Sequence, residues 1–337
     1  MSIQFTLSPD TINWLTEESD PGVRYLALRD LLTPPPAPQK LRAAMTAAHQ
    51  SGPIAVILDQ MDPEGYWVKP GPGYAPKYTG TVWSVIILGQ LGAALEADPR
   101  IAKACDYILN NTLTEYGQFS TSGTPGGTVD CLQGNLCSAL LDLGVTDPRL
   151  DRAFEWMAHS VTGEGVAPAG DANTPIRYYA GKCGPDFLCG ANNKLACAWG
   201  AVKVMLAFSK LPQGQRTPLI QRAIERGIDF LFSGDPAEAP YPNGWNDKPS
   251  RNWWKFGFPV FYITDLLQLT EALVNLGFGG DPRLTHALTL ILEKGGRDQR
   301  WALEYHYTGK TWTDFGTRGK PNKWVTYRAL KVLKAAA

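Results

Sequence analysis

The sequence predicts an all-α fold in which helical hairpins repeat and close into a ring. Two observations predict it: a helix-corner phrase that recurs along the chain, and a Gly-x-aromatic loop that recurs with it. The corner phrase is Leu91-Gly92 with Asp98-Pro99-Arg100, Leu143-Gly144 with Asp147-Pro148-Arg149, and Leu276-Gly277 with Asp281-Pro282-Arg283. Glycine after an apolar-periodic run stops a helix. Aspartate before proline is an N-cap with proline at the first helical position. The loop is clearest at Gly65-Tyr66-Trp67, with weaker forms at Gly117-Gln118-Phe119, Gly244-Trp245 and Asp298-Gln299-Arg300-Trp301. Trp67 and Phe119 stand 52 residues apart, and Asp98 and Asp147 stand 49 apart. Self-similarity at that period marks stacked supersecondary units.

The elements follow in order. Inner helices are expected at about 21–32, 79–96, 128–144, 190–210, 258–277 and 321–335. Outer helices are expected at about 9–17, 39–61, 99–112, 148–161, 217–233 and 282–295. Six inner and six outer helices close a ring over residues 1–337, one continuous repeat array with one core. Two long stretches, 162–189 and 234–257, are rich in glycine, proline and aromatics and are expected to cap a central cavity.

Composition narrows the function classes. Hydrophobic residues make up 44% of the 337 positions, enough for a large core, and charged residues 19%. Lys+Arg and Asp+Glu are both 32, so there is no basic stripe to neutralise a phosphate backbone, and a nucleic-acid partner is not expected. The longest apolar run, Val82 to Leu95, is interrupted by Ser84 and Gln90 and is shorter than a membrane span. Residues Met1 to Thr6 lack the basic region and apolar core of a signal peptide, which predicts a cytoplasmic protein with free thiols.

Chemistry is sought where inner helices begin, because free backbone N–H groups there favour anions and lower thiol pKa values. At 128–144, Asp130 is either an N-cap or a carboxylate aimed into the cavity, and Cys131 opens a polar stripe. At 190–210, Cys189, Asn193 and Cys197 recur every four residues and are expected on one helix face with Gly200. Cys183 is a further thiol close in sequence. His306, in Leu303-Glu304-Tyr305-His306-Tyr307, is placed to reach the cavity mouth. Tyr178 and Tyr179 in one loop, Trp253 and Trp254 in the other, and Phe258, Tyr262 and Asp265 on one face of the following helix form an aromatic concentration. Aromatic walls suit an apolar ligand and stabilise a developing cation.

Gln60 followed by Gly65-Tyr66-Trp67 after an apolar helix resembles the QW motif of squalene-hopene and oxidosqualene cyclases. The resemblance implies an (α/α)6 toroid over roughly residues 50 to 335. The Asp-x-Asp-Asp acid of those cyclases is missing, and so is the Asp-Asp-x-x-Asp motif of other terpene synthases. Protein prenyltransferase β-subunits are similar at the toroid level and bind zinc, and that resemblance implies Cys131, Cys183, Cys189 and His306 as the metal ligands. Linalool dehydratase-isomerase is similar in pairing cysteines with polar groups in an aromatic cavity.

The expected function is therefore acid–base chemistry on a small apolar, isoprenoid-like alcohol or alkene, by dehydration, isomerisation or cyclisation. Asp130, Cys131 or Cys189 is the expected acid, and His306 or Asp265 the expected base. Tyr178, Tyr179, Asn193, Cys197, Trp253, Trp254, Phe258 and Tyr262 are the expected substrate contacts. This reading requires no cofactor. The alternatives are a zinc enzyme using the thiols, and a non-catalytic toroid that binds a hydrophobic ligand.

Overall fold

The computed structural model describes residues 5–168, 177–178 and 182–337. Among these residues the chain is mostly helical. The helices are α1 (Pro9–Leu15), α2 (Pro21–Asp30), α3 (Pro38–Gln50), α4 (Pro53–Leu58), α5 (Thr81–Gln90), α6 (Pro99–Asn111), α7 (Asp130–Leu143), α8 (Pro148–Thr162), α9 (Ala198–Lys210), α10 (Pro218–Leu231), α11 (Leu266–Leu273), α12 (Thr285–Gly295) and α13 (Lys323–Ala336). Among the described residues four two-residue strands form two pairs. β1 (Ala167–Pro168) and β2 (Arg177–Tyr178) run parallel, and β3 (Leu188–Cys189) and β4 (Leu195–Ala196) antiparallel. No helix among the described residues is long and apolar enough to cross a membrane.

The corner phrases fold as one device used three times. Asp98 Oδ1 accepts from the Arg100 amide at 2.8 Å, Asp147 Oδ1 from that of Arg149 at 2.8 Å, and Asp281 Oδ1 from that of Arg283 at 2.9 Å. Each arginine then returns its guanidinium to the same carboxylate, at 2.8, 2.7 and 2.7 Å. The aspartate thus satisfies a free helix N–H while proline presets the first turn. At the third corner a short 3-10 turn, Pro282–Leu284, precedes α12.

The Gly-x-aromatic loops also repeat in three dimensions. Trp67 Nε1 donates to the Ile57 carbonyl and Trp301 Nε1 to that of Ile291, both at 2.7 Å and both ten residues back. The backbone N–H groups of Trp67, Phe119 and Trp301 donate to Thr81, Gln133 and Thr326 at the starts of α5, α7 and α13. Gly65 and Gly117 have positive φ, 95° and 86°. A Cβ there would stand 2.9 Å from the Lys103 carbonyl in α6 and 2.4 Å from the Arg152 carbonyl in α8. The Gly244-Trp245 form does not join this pattern, because Trp245 is 72% exposed.

Burial separates two kinds of helix. Helix α5 is buried at every position from Thr81 to Gly89. Helix α6 buries only Ile101, Ala104, Cys105, Ile108 and Leu109, the stripe of a helix packed on one side. Among the fully packed helices, α5 lies on α7, α7 on α9, α9 on α11, α11 on α13, and α13 on α2. Residues of all six line one polar cavity of about 110 Å³, among them Arg29, Gln90, Asn135, Lys210, Glu271 and Lys331.

Three expected helices begin or divide elsewhere. The stretch at 39–61 is two helices, because Gly52, at φ 78°, and Pro53 interrupt it. The stretch at 258–277 becomes helical only at Leu266, where Asp265 Oδ1 caps the Gln268 amide at 2.8 Å. Pro259 supplies no amide hydrogen to an earlier turn. The stretch at 190–210 becomes helical only at Ala198.

Candidate functional site

That late start shapes the site. β3 and β4 form a hairpin with Cys189 opposite Leu195, turned through Asn193 and Lys194 at φ 54° and 62°. The Cys197 amide donates to the Phe187 carbonyl at 2.9 Å, and Cys197 is the N-cap residue of α9. Cys189, Asn193 and Cys197 are therefore not a helical stripe, contrary to their spacing. The hairpin instead folds Cys189 back until its sulfur meets that of Cys197.

These thiols open on a cavity of about 720 Å³, within the usual range for small-molecule sites. Asp130 and Cys131 enter from the first turn of α7, and Cys189 and Cys197 from the hairpin and the start of α9. Trp199, Tyr241, Trp253 and Tyr262 supply aromatic wall, and Trp245 stands exposed among the lining residues. Asp130 lies in the first turn with Val129 at the N-cap position, so it does not cap the helix. Gly200 leaves room for it: a Cβ there would stand 3.2 Å from that of Asp130.

The acids of this cavity are driven in opposite directions. The Cys189 thiol is lowered to about 6, chiefly because Cys197 donates a hydrogen bond to its sulfur. Burial opposes this, while the amides of Ala191 and Asn192 and the charge of Lys182 add to it. Cys197 is correspondingly pushed up and keeps its proton. Burial lifts Asp130 well above the carboxylate range, and neighbouring Cys189 lifts it further. Ser160 Oγ, donating to Asp130 Oδ1 at 3.4 Å, offsets only part of that rise. Burial, with Cys189 and Asp130 nearby, pushes the Cys131 thiol up to about 12, and burial beside Asp130 raises Cys183 as well. The site therefore pairs a Cys189 thiol that its hydrogen bonds drive toward ionisation with an Asp130 carboxyl that burial drives toward its neutral form.

Several residues singled out in the sequence lie elsewhere. Asp265 caps α11 and receives both terminal nitrogens of Arg328, at 3.0 and 3.1 Å. Its carboxylate is thereby committed to a buried ion pair and does not line the cavity. His306 sits in a loop with Nδ1 2.8 Å from Thr308 Oγ1, also away from the cavity. Phe258 is buried and stacked on Trp324 at 4.7 Å. Trp254 donates Nε1 to the Ala237 carbonyl at 2.7 Å and is not in the lining. Phe258, Tyr262 and Asp265 precede α11 and so share no helix face. Asn193 turns the hairpin, while its neighbour Asn192 reaches the cavity. The backbone of Tyr178 pairs in β2, and Tyr179 lies outside the described residues. Trp253 and Tyr262 do line the cavity, and the Tyr262 hydroxyl meets that of Tyr78 at 3.1 Å.

Cys131, Cys183, Cys189 and His306 do not reach metal-ligand spacing as a set. Among the described residues, the group whose ligand atoms lie within 4.8 Å of one another is Asp235, Glu238 and His286 at the surface. There His286 Nδ1 is 2.6 Å from Asp235 Oδ2.

Trp199, Trp245, Tyr241, Lys182, Lys248 and Arg251 also line the cavity, although the sequence did not mark them. For Trp245 a signal existed: Asn243-Gly244 is a turn dipeptide, which favours a loop over a repeat remnant. Lys203 on α9 is buried, with Nζ against Gln268 Oε1. Burial lowers it to about 7.

No family model and no curated protein matches this chain. Among solved structures, a crystal structure of a protein from Actinoplanes is similar over 87% of this chain and 99% of its own, at 13% identity and a TM-score of 0.44.

Proposed function

We propose that the chain is an (α/α)6 toroid whose 720 Å³ cavity performs acid–base chemistry on a small, largely apolar alcohol or alkene. The neighbour order of α2, α5, α7, α9, α11 and α13, with one polar cavity shared by all six, supports the toroid. The observation that carries the chemistry is the divergence of Asp130 and Cys189 within one cavity. Two neighbouring acids pushed apart in this way divide into proton donor and proton acceptor.

In a dehydration, Asp130 gives its proton to the leaving hydroxyl as the C–O bond breaks. The Cys189 thiolate takes a proton from the adjacent carbon as the double bond forms, and water leaves. Asp130 is then a carboxylate and Cys189 a thiol. Transfer of the proton between these neighbours restores the starting state. Isomerisation uses the same two groups, with protonation at one carbon and removal at another. The aromatic rings of Trp199, Trp253 and Tyr262 in the lining are of the kind that stabilises a cationic transition state. Proton transfer of this kind supplies about 10²–10⁴-fold, with positioning and exclusion of water adding the rest.

The test is proton exchange. The protein is incubated in deuterium oxide with a panel of isoprenoid-like alcohols and alkenes, and deuterium uptake into substrate or product is read by mass spectrometry. Asp130→Asn and Cys189→Ala should each abolish uptake while the helical circular-dichroism signal persists. Undiminished uptake in Cys189→Ala would sink the reading.

A further inference from the structure

The cavity carries a charge pattern that the acid–base pair does not use. Three cations line it, Lys182, Lys248 and Arg251, all exposed. Among the described residues none of the three forms a salt bridge. Among the described residues Asp130 is the one carboxyl in the lining, and burial raises its pKa toward the neutral form. Among the described lining residues the basic side chains thus outnumber the acidic ones, although the whole chain balances 32 basic residues against 32 acidic ones. A cleft of one sign with low-dielectric walls focuses its field on an incoming ion of the other sign.

The three cations divide by task. Lys182 lies beside Cys189 and helps hold its thiolate. Lys248 and Arg251 stand on a different segment, a loop braced by its own side chains. Asn243 Nδ2 donates to the Lys248 carbonyl at 2.9 Å, and the Lys248 amide donates to Asn246 Oδ1 at 3.0 Å. Ser250 Oγ accepts from the Asn252 amide at 3.4 Å, fixing the turn that begins with Arg251. The pair is therefore presented by a loop held by its own hydrogen bonds. An ammonium and a planar guanidinium together suit a carboxylate, which the guanidinium can grip through two parallel hydrogen bonds. The same lining includes the apolar and aromatic side chains of Trp245, Pro242, Pro249 and Trp253.

We infer that the substrate is an amphiphilic carboxylate, its head held by Lys248 and Arg251 and its apolar body running past Trp245 and Trp253 toward Cys189 and Asp130. This assignment rests on the cavity being the catalytic site. It narrows the substrate class from apolar molecules in general to those with one anionic end.

Three probes of equal chain length test it: octanoate, octan-1-ol and octyl phosphate, titrated calorimetrically at low ionic strength. Octanoate should bind at least about tenfold more tightly than octan-1-ol, and added salt should erode the difference. In the double variant Lys248→Gln/Arg251→Gln the preference should vanish while octan-1-ol binding is unchanged. Equal affinity for octanoate and octan-1-ol, or a preference that survives the double variant, overturns the inference. Octyl phosphate binding about tenfold more tightly than octanoate overturns the choice of carboxylate. The parent reading is judged separately, by the rate at which Cys189 is alkylated at neutral pH. Rapid alkylation without octanoate preference removes only the head-group assignment, whereas slow alkylation with octanoate preference removes the proposed base.

Discussion

The Cys197 thiol donates a hydrogen bond to the sulfur of Cys189, and the two residues are brought together by a hairpin of two-residue strands. Each sulfur determines the other's protonation. Cys189 ionises near 6 because Cys197 keeps its proton. Alkylation of the protein by iodoacetamide should therefore be half-maximal near pH 6 and level by about pH 8. Cys131 and Cys105, both raised to about 12, should not contribute. Replacing Cys197 with alanine removes the donor, so the midpoint should move up toward the ordinary thiol value of 9.0. A midpoint that stays near 6 would show that the Ala191 and Asn192 amides suffice.

Lys203 makes stability depend on pH. Its folded pKa of about 7 lies below its ordinary value of 10.5, so the unfolded chain binds more protons between those limits. Stability should then rise as pH increases from about 7 toward 10, because burying the neutral amine costs less than burying the ammonium. In Lys203→Met this rise should be reduced. Urea midpoints at pH 7.5 and 9.5 measure it, and equal slopes for both proteins would show that Lys203 remains charged.

Helices α7 and α9 touch through Gly134. A Cβ there would stand 2.4 Å from the Lys203 backbone carbon and 2.5 Å from its carbonyl oxygen, so Gly134→Ala must push two helices apart. The expected loss is about 1–3 kcal/mol in urea unfolding. Gly280→Ala, where nothing lies within 4 Å, is the control and should change stability by no more than about 0.5 kcal/mol.

The three corner aspartates should behave alike. Asp98→Ala, Asp147→Ala and Asp281→Ala each remove a cap and an arginine clamp, at a cost of about 0.5–2 kcal/mol apiece in thermal or urea unfolding. Asp147 is held at about 2, chiefly by Arg149. Its contribution is therefore complete above the ordinary carboxylate value of 3.8 and disappears as pH falls through about 2.

Trp67 and Trp301 offer a matched pair. Replacing either with phenylalanine leaves the Ile57 or Ile291 carbonyl without its indole donor. Each change should cost about 1–3 kcal/mol, nearly equal at the two sites. Markedly unequal losses in urea unfolding would show that the two loops are not equivalent.

The local signals in the sequence were sufficient for the helix corners and for the aromatic loops at Trp67, Phe119 and Trp301, but not for Gly244-Trp245, whose indole is exposed. Asp-Pro-Arg acts through bonds within three residues, and the Trp67 indole reaches a carbonyl only ten residues back. Such features need no distant partner, so they are legible from spacing alone. The cavity was legible only in part. Asp130, Cys131, Cys189, Cys197, Trp253 and Tyr262 were marked by residue type and line it, but the helical stripe invoked for Cys189 and Cys197 does not exist. A stretch that fits a helical period became a hairpin through pairing of Leu188 with Ala196 and Cys189 with Leu195, a choice that periodicity does not record. Asp265 passed from expected base to helix cap because Arg328, 63 residues away, claims its carboxylate. Sequence by itself thus determined the repeated helices and the residue types available for chemistry. Which thiol is driven toward ionisation, which acid toward its neutral form and which cations border the cavity were decided by tertiary structure, because burial and hydrogen bonding between distant segments set those properties.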